Sequence, residues 1–160
     1  MKFKTGIGQD SHRFLAPDTS KPCVIGGVIF HDLPGFHANS DGDVVFHSIC
    51  NALTSLTGTL ILGGLADELC INNGITDSAV YLQEGLKTLG DLKISHVALA
   101  IEGKRPKLHE HLEEMRESVA EIMGLEIDQI GITATSGEGL TDVGCGDGLS
   151  CTAILSAFTE

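Results

Sequence analysis

Two stretches, GQDSHRF (residues 8–14) and SDGDVVFH (40–47), constrain the fold most, because they place three potential metal ligands on two different elements. Asp10 and His12 are two residues apart on a predicted strand, so their side chains leave by the same face. His47 falls in a predicted helix, nearly opposite its apolar stripe at about 100° per residue.

His47 shares its helix face with Asp43 and Asn51, which are predicted to orient its ring. One carboxylate with two imidazoles suits catalytic zinc, which takes three protein ligands and keeps a fourth position open. The same set describes the facial triad of 2-His-1-carboxylate iron oxygenases. The remaining interpretation is that Asp10 and His12 are turn or edge-strand residues and that His47 lies on a solvated helix face.

The charge of the chain limits its partners. The formal net charge is −12, from 10 basic and 22 acidic residues. That leaves too few cations to neutralise a phosphate backbone, so nucleic acid is not an expected partner. The same field repels a small anionic substrate unless a bound cation offsets it.

Hydropathy and cysteine spacing indicate the compartment. No apolar run approaches the ~20 residues of a membrane span, and the N-terminal MKFKTGIGQD lacks the apolar stretch of a signal peptide. The five cysteines include no C-x-x-C pair and are interpreted as buried apolar residues in a reducing compartment. We therefore expect a cytoplasmic protein with no membrane partner.

Apolar periodicity and glycine punctuation predict the elements and the fold class. Ser40 and Asp43 resemble a capping box at the start of the first helix. The order favours an α+β fold, a two-layer sandwich with a mixed sheet and helices on one face, and the length fits a single domain over residues 1–160. The predicted strands are 2–12, 23–31 with a turn at Gly26 and Gly27, 92–101, 127–135 and LSCTAILSAF (149–158), and the predicted helices are 40–56, 77–89 and 108–123.

Two further stretches contain candidate anion ligands. TATSGEGL (133–140) ends a strand in hydroxyls and glycines whose N–H groups can cradle a phosphate, although an ordinary polar loop has the same composition. Glu138 in that loop fits a phosphate site only if it holds a second cation such as Mg²⁺. The basic cluster of EGKRPKL (102–108) fits anion contact and plain surface solubility equally well.

Taken together, these motifs resemble the 2-C-methyl-D-erythritol 2,4-cyclodiphosphate synthase family of the non-mevalonate isoprenoid pathway. The resemblance implies a phosphorus–oxygen lyase that cyclises 4-diphosphocytidyl-2-C-methyl-D-erythritol 2-phosphate and releases CMP. It also implies a homotrimer with active sites between subunits. The motifs that carry it are GQDSH (8–12), IGG (25–27), SDGDVVFH (40–47), RPKL (105–108), TATSGEGL (133–140) and GCGDGL (144–149).

The resemblance also implies roles for particular residues. It implies one zinc per chain on Asp10, His12 and His47, and a second divalent cation, Mg²⁺ or Mn²⁺, on Glu138. Catalytic roles fall on Glu138, Ser40 and Thr135. The residues expected to bind the cytidine diphosphate substrate are Asn39, Ser40, Gly63, Gly103, Pro106, Lys107, Leu108, Thr135 and Ser136.

At several positions the chain departs from the family pattern. Ile61 stands where an Asp commonly meets the cytidine ribose, so we expect weak discrimination of the 2′-hydroxyl. A catalytically weak relative that binds metal and nucleotide is therefore an alternative function, beside the iron oxygenase. The other departures are Asn39 for a usual His, LADELC (65–70) for an aromatic-Pro-Asp segment, Gly139 for a Lys, and Cys145 for an Arg near the trimer axis.

Overall fold

The computed structural model describes residues 1–160 and has an α+β architecture with a mixed four-stranded sheet. The strands are β1 (Lys2–Arg13), β2 (Pro22–Ile25), β3 (Val28–Pro34), β4 (Lys93–Glu102), β5 (Ile130–Thr135) and β6 (Gly148–Thr159). The strand order in the four-stranded sheet is β1-β6-β4-β5; β4 and β5 are parallel, and the other pairs are antiparallel. A separate hairpin joins β2 and β3.

The helices cover one face of the sheet, as predicted. The first contacts β1 and β6, and the fourth contacts β5. The helices are α1 (Val44–Thr57), α2 (Ala66–Asn73), α3 (Ser78–Leu86), α4 (Leu112–Met123) and the short α5 (Asp142–Cys145), with a π turn at Ile61–Leu65 and 3₁₀ turns at Lys87–Leu89, Leu108–His111 and Ile127–Gln129.

Two predicted boundaries were wrong, and one helix was missed. The first helix begins at Val44, and its N-cap is Asp43, whose carboxylate accepts hydrogen bonds from the Val45 and Phe46 N–H groups, so Ser40 is not the cap. Residues 127–129 form a 3₁₀ turn and not the start of a strand. Helix α2 was not predicted, because its apolar residues do not form a clear stripe.

The remaining predictions can be checked residue by residue. The final segment is a strand, and Gly26 and Gly27 form the hairpin turn with φ of 59° and 77°. Cys23, Cys50 and Cys151 are buried as predicted, but Cys70 is half-buried and Cys145 is exposed. No single helix is long and apolar enough to cross a membrane. Residues 44–57 and 61–73 reach the length and hydropathy of a membrane span only when taken together, and an 88° bend separates them.

Helix α1 lies unusually close to β1, and two glycines make this possible. Gly6 and Gly8 point toward α1 from the buried face of the strand. A Cβ at Gly8 would lie 2.2 Å from both the Ala52 nitrogen and the Ser48 oxygen of the helix backbone. Because backbone atoms cannot rotate away, any side chain at this position would push the helix off the sheet.

We therefore predict that Gly8→Ala destabilises the chain by about 3 kcal/mol or more, because α1 must move to admit the methyl group. Gly131→Ala on β5 is the matched control, since its Cβ would meet nothing nearer than the His96 ring at 3.4 Å. Urea unfolding followed by circular dichroism measures both variants. Equal stability of the two alanine variants would contradict this account of the helix–strand contact.

Candidate active site

Asp10, His12 and His47 meet at one point, as the sequence predicted. Asp10 Oδ2 lies 2.8 Å from His12 Nε2 and 3.0 Å from His47 Nδ1. The two imidazole nitrogens are 3.1 Å apart. Ligand atoms of a tetrahedral zinc site, with bonds of about 2.0–2.1 Å, lie about 3.3 Å from one another. The three donor atoms therefore fit around a zinc-sized ion, and no other group of His, Cys, Asp or Glu side chains in the chain does so.

The local fold explains why these residues converge. Asp10 and His12 leave β1 on the side of Gly8, where α1 approaches most closely and presents His47. Burial raises the pKa of Asp10, but its hydrogen bonds to His12 and His47 lower it more, and the net pKa is about 2. Asp10 is therefore ionised near neutral pH, the form that a metal ligand requires.

The environment of His47 differs from the prediction. The ring is buried, with 7% exposure, and its Nε2 lies 2.8 Å from Ser78 Oγ and 3.2 Å from Ser40 Oγ. The predicted partners, Asp43 and Asn51, do not contact it.

Both of those side chains have other partners. The Asp43 carboxylate is saturated by four backbone N–H groups, two at the start of α1 and two from the hairpin turn at Gly26 and Gly27. The Asn51 amide donates to the carbonyl of Gln9, 2.9 Å away. Asp43 and Asn51 thus fix the helix on its neighbours instead of orienting the imidazole.

A pocket of about 250 Å³ adjoins the metal ligands. Asn39 and Ser40, two expected substrate-binding residues, lie in its wall, and α2 forms much of the rest. The side chain of Ile61 is fully buried against the core, so it offers nothing to a ligand. Gly63 lies in the π turn outside this wall. The lining residues are His12, Ala38, Asn39, Ser40, His47, Leu62, Ala66, Asp67, Cys70, Ile71 and Tyr81.

A second pocket of about 250 Å³ lies between the β4–α4 connection and the end of β5. It gathers six of the predicted substrate-binding residues and, with Lys104 and Lys107, it is basic. No residue lines both this pocket and the metal-side pocket. The residues lining it are Gly103, Lys104, Pro106, Lys107, Leu108, His109, Ala134, Thr135 and Ser136.

A family model described as the YgbB family matches residues 3–157, nearly the whole chain. The chain belongs to the YgbB family. Two curated relatives, both named 2-C-methyl-D-erythritol 2,4-cyclodiphosphate synthase, come from Chlamydia muridarum and Chlamydia caviae. The first is 58% identical over 157 residues (98% of this chain, 88% of the relative), and the second is 56% identical over 155 residues (96% and 88%).

Solved structures agree with this assignment. A 2C-methyl-D-erythritol-2,4-cyclodiphosphate synthase in a CDP-bound form matches with a TM-score of 0.75 and 27% identity, over 97% of this chain and 100% of that one. The synthase from Plasmodium vivax matches with a TM-score of 0.83 and covers 99% of both chains. At 22% identity the Plasmodium match supports the fold alone.

In this YgbB-family chain Glu138 stands apart from the metal ligands. It is exposed in the glycine loop, with a left-handed φ of 51°, and its carboxylate accepts a hydrogen bond from Ser136 Oγ at 3.3 Å. It belongs to no cluster of metal-ligand side chains within one chain. A second cation on Glu138 would need oxygen ligands from the substrate or another subunit.

The sequence analysis missed several residues of the site. Ser78 is fully buried at the start of α3 and contacts His47, whereas Leu62, Ala66 and Ile71 give the metal-side pocket an apolar wall. Nothing in the spacing of Ser78 connects it with His47, because the contact depends on how α3 packs on α1. The wall residues depend on α2, which the sequence did not predict.

Proposed function

We propose that this chain is a 2-C-methyl-D-erythritol 2,4-cyclodiphosphate synthase, acting as one catalytic domain over residues 1–160. The observation that carries the proposal is the triad of Asp10, His12 and His47 opening on a pocket, in a chain of the YgbB family. CMP release from 4-diphosphocytidyl-2-C-methyl-D-erythritol 2-phosphate by the purified protein tests it. The relatives' names do not favour the iron oxygenase alternative.

In the proposed reaction, an oxygen of the substrate's own 2-phosphate attacks the β-phosphorus. The bond from that phosphorus to the bridging oxygen breaks, and CMP leaves with the bridging oxygen. Zinc on Asp10, His12 and His47 would supply Lewis-acid polarisation of the phosphoryl oxygens. The chain itself positions the reacting groups, which accounts for most of the catalysis in phosphoryl transfer.

Specific residues of the chain suit these tasks. Ser40 and Asn39 lie beside the metal ligands and can donate hydrogen bonds to phosphate oxygens. Thr135 and Ser136 border the second pocket and suit the α-phosphate side, while Gly103, Pro106 and Leu108 suit the cytosine. The apolar wall of the metal-side pocket suits the methylerythritol carbons, and it excludes water that would compete with the 2-phosphate.

The open face of the sheet supports a homotrimer with active sites between subunits. Ile7 pairs with Ile154, which pairs with Ala98, so these three form one row across the side away from the helices. Ile7 is 60% exposed and Ile154 is 40% exposed in the single chain. This row is apolar, as the core of a subunit contact usually is. The metal-side pocket and the basic pocket, which share no residue, would then meet across a subunit boundary.

We predict a trimer of about three times the 16.8 kDa chain mass in multi-angle light scattering at micromolar concentration. Ile154→Lys, which puts a charge into the proposed contact, should shift the mass toward that of the single chain. Ile29→Lys is the control, because Ile29 is 51% exposed on the separate hairpin. A wild-type protein that runs at the mass of one chain would exclude the trimer.

We predict that cytosine preference persists while preference for the 2′-hydroxyl is weak. The basic pocket, proposed to hold the base, includes Gly103, Pro106 and Leu108, whereas the Ile61 side chain is buried and offers no acceptor to the ribose. A charge-assisted hydrogen bond is worth roughly 1.5–3 kcal/mol. Calorimetry on the zinc-loaded protein compares CDP with 2′-deoxy-CDP and UDP. Strong preference for CDP over the deoxy form would mean that another residue binds the ribose.

A further inference from the structure

We infer that Ser78, supported by the carboxylate of Asp41, is a positioning residue that fixes the tautomer and ring orientation of the metal ligand His47. The inference rests on the part of the proposed function that puts a metal on the triad. It concerns the side of His47 that faces away from the metal, to which the family resemblance gives no role.

The two ring nitrogens of His47 face different groups. Nδ1 lies 3.0 Å from Asp10 Oδ2 and 3.1 Å from His12 Nε2, so Nδ1 is the atom that would bind the metal. A nitrogen that binds a metal must be unprotonated, and a neutral imidazole then keeps its proton on the other nitrogen. Nε2 therefore donates a hydrogen bond to Ser78 Oγ, 2.8 Å away.

The hydroxyl of Ser78 also donates a hydrogen bond to a carboxylate. It donates to Asp41 Oδ1. Asp41 is itself held by backbone donors, the Ser78 N–H on Oδ2 and the Asp43 N–H on Oδ1, both at 3.0 Å. The hydrogen bonds thus run from His47 through Ser78 to the Asp41 carboxylate, and successive hydrogen bonds in such a series strengthen one another.

Burial holds this hydrogen-bonded series of side chains in one arrangement. Ser78 is fully buried, and the Asp41 N–H donates to the Thr76 carbonyl at 2.8 Å, so the loop before α1 is tied to the start of α3. Partners of this kind on the outer nitrogen of a metal-bound histidine raise its basicity and fix its orientation. The two helices therefore hold the imidazole in the orientation that the metal needs.

The position of the proton on His47 Nε2 also gives Ser78 and Ser40 different roles. Ser40 Oγ is also near His47 Nε2, at 3.2 Å, and it accepts a hydrogen bond from the Gly42 N–H. Because the Nε2 proton is directed to the closer Ser78, the Ser40 hydroxyl has no acceptor on the imidazole. Ser40 lies in the wall of the metal-side pocket, so its proton is available to an oxygen of the ligand.

The test uses Ser78→Ala and measures the Kd for Zn²⁺ alone by competition with a chromophoric chelator, without substrate. We expect binding to weaken about 10- to 100-fold. Asp41→Asn, which removes the charge but keeps an acceptor, should weaken binding by a smaller factor. Ser48→Ala is the matched control: Ser48 is equally buried and adjacent to His47, but its hydroxyl donates to the Val45 carbonyl at 2.8 Å.

The melting temperature of each metal-free variant is measured beside the Kd. A purely structural role would make Ser78→Ala and Ser48→Ala lose stability and zinc affinity to the same extent, which would overturn the inference, as would unchanged zinc affinity in Ser78→Ala. A long-range ¹H–¹⁵N spectrum of the zinc-loaded wild type should show the proton on His47 Nε2, and a proton on Nδ1 would overturn it even if Ser78→Ala does not fold.

Failure of this inference can be told apart from failure of the proposed function. Wild-type protein that binds no zinc would overturn both. Zinc-binding protein that releases no CMP would overturn the proposed function and leave the role of Ser78 standing. Zinc-binding, CMP-releasing protein in which Ser78→Ala behaves as wild type would overturn only the role of Ser78.

Discussion

His47→Ala is expected to abolish stoichiometric zinc binding and to lower CMP release at least about 1000-fold while the chain stays folded. The loss of one of three ligands leaves an incomplete site. A Lewis acid contributes several kcal/mol of charge stabilisation, and each 1.36 kcal/mol is tenfold in rate. Zinc content by atomic emission and single-turnover kinetics measure the two effects.

His31→Ala is the matched control for this variant, because His31 is an exposed histidine on β3 outside the metal site. We expect it to retain both zinc and turnover. Circular dichroism of the His47 variant should show the wild-type spectrum, since the core side chains of α1 remain in place. One zinc per chain in folded His47→Ala would show that the ligand assignment is wrong.

Glu138→Gln is expected to keep zinc and thermal stability but to lose turnover by roughly 100-fold, the effect of removing one metal-held charge from the transition state. Glu138 is exposed in the glycine loop, so its carboxylate contributes nothing to the core. A lone carboxylate beside a diphosphate would repel it, and a divalent cation reverses the sign of that interaction. Turnover at increasing Mg²⁺ or Mn²⁺ measures the effect.

The control for Glu138 is Glu121→Gln, an equally exposed glutamate on α4. It removes the same charge from an acidic chain at a site outside the glycine loop. If Glu138→Gln turns over at the wild-type rate at saturating divalent cation, Glu138 has no role in holding a second cation. If both variants lose turnover equally, the effect comes from net charge alone.

The metal ligands could be predicted from the sequence because each depends on local geometry. Asp10 and His12 share a face by the alternation of a strand, and His47 lies off an apolar stripe by the rotation of a helix. That these two faces meet depends on Gly8, whose missing side chain lets α1 approach the strand. Spacing alone does not show which glycines allow such an approach.

The partners of the ligands could not be predicted, because they come from packing. Asp43 has the spacing to orient His47, but its carboxylate accepts hydrogen bonds from four backbone N–H groups instead. Ser78, at the start of α3, contacts the His47 ring instead, and no local sequence pattern connects α3 with His47. Similarly, the family resemblance led us to expect a lost ribose contact at Ile61, and only the packing of the π turn shows that this side chain is in the core.

The most direct test of the account is to incubate the purified, zinc-loaded chain with 4-diphosphocytidyl-2-C-methyl-D-erythritol 2-phosphate and Mg²⁺ and to identify the products. We predict stoichiometric release of CMP together with the cyclic diphosphate, detected by ³¹P NMR, and loss of both when the metal is removed by a chelator. A zinc-loaded trimer that binds CDP but releases no CMP would contradict the account and leave a metal- and nucleotide-binding relative in its place.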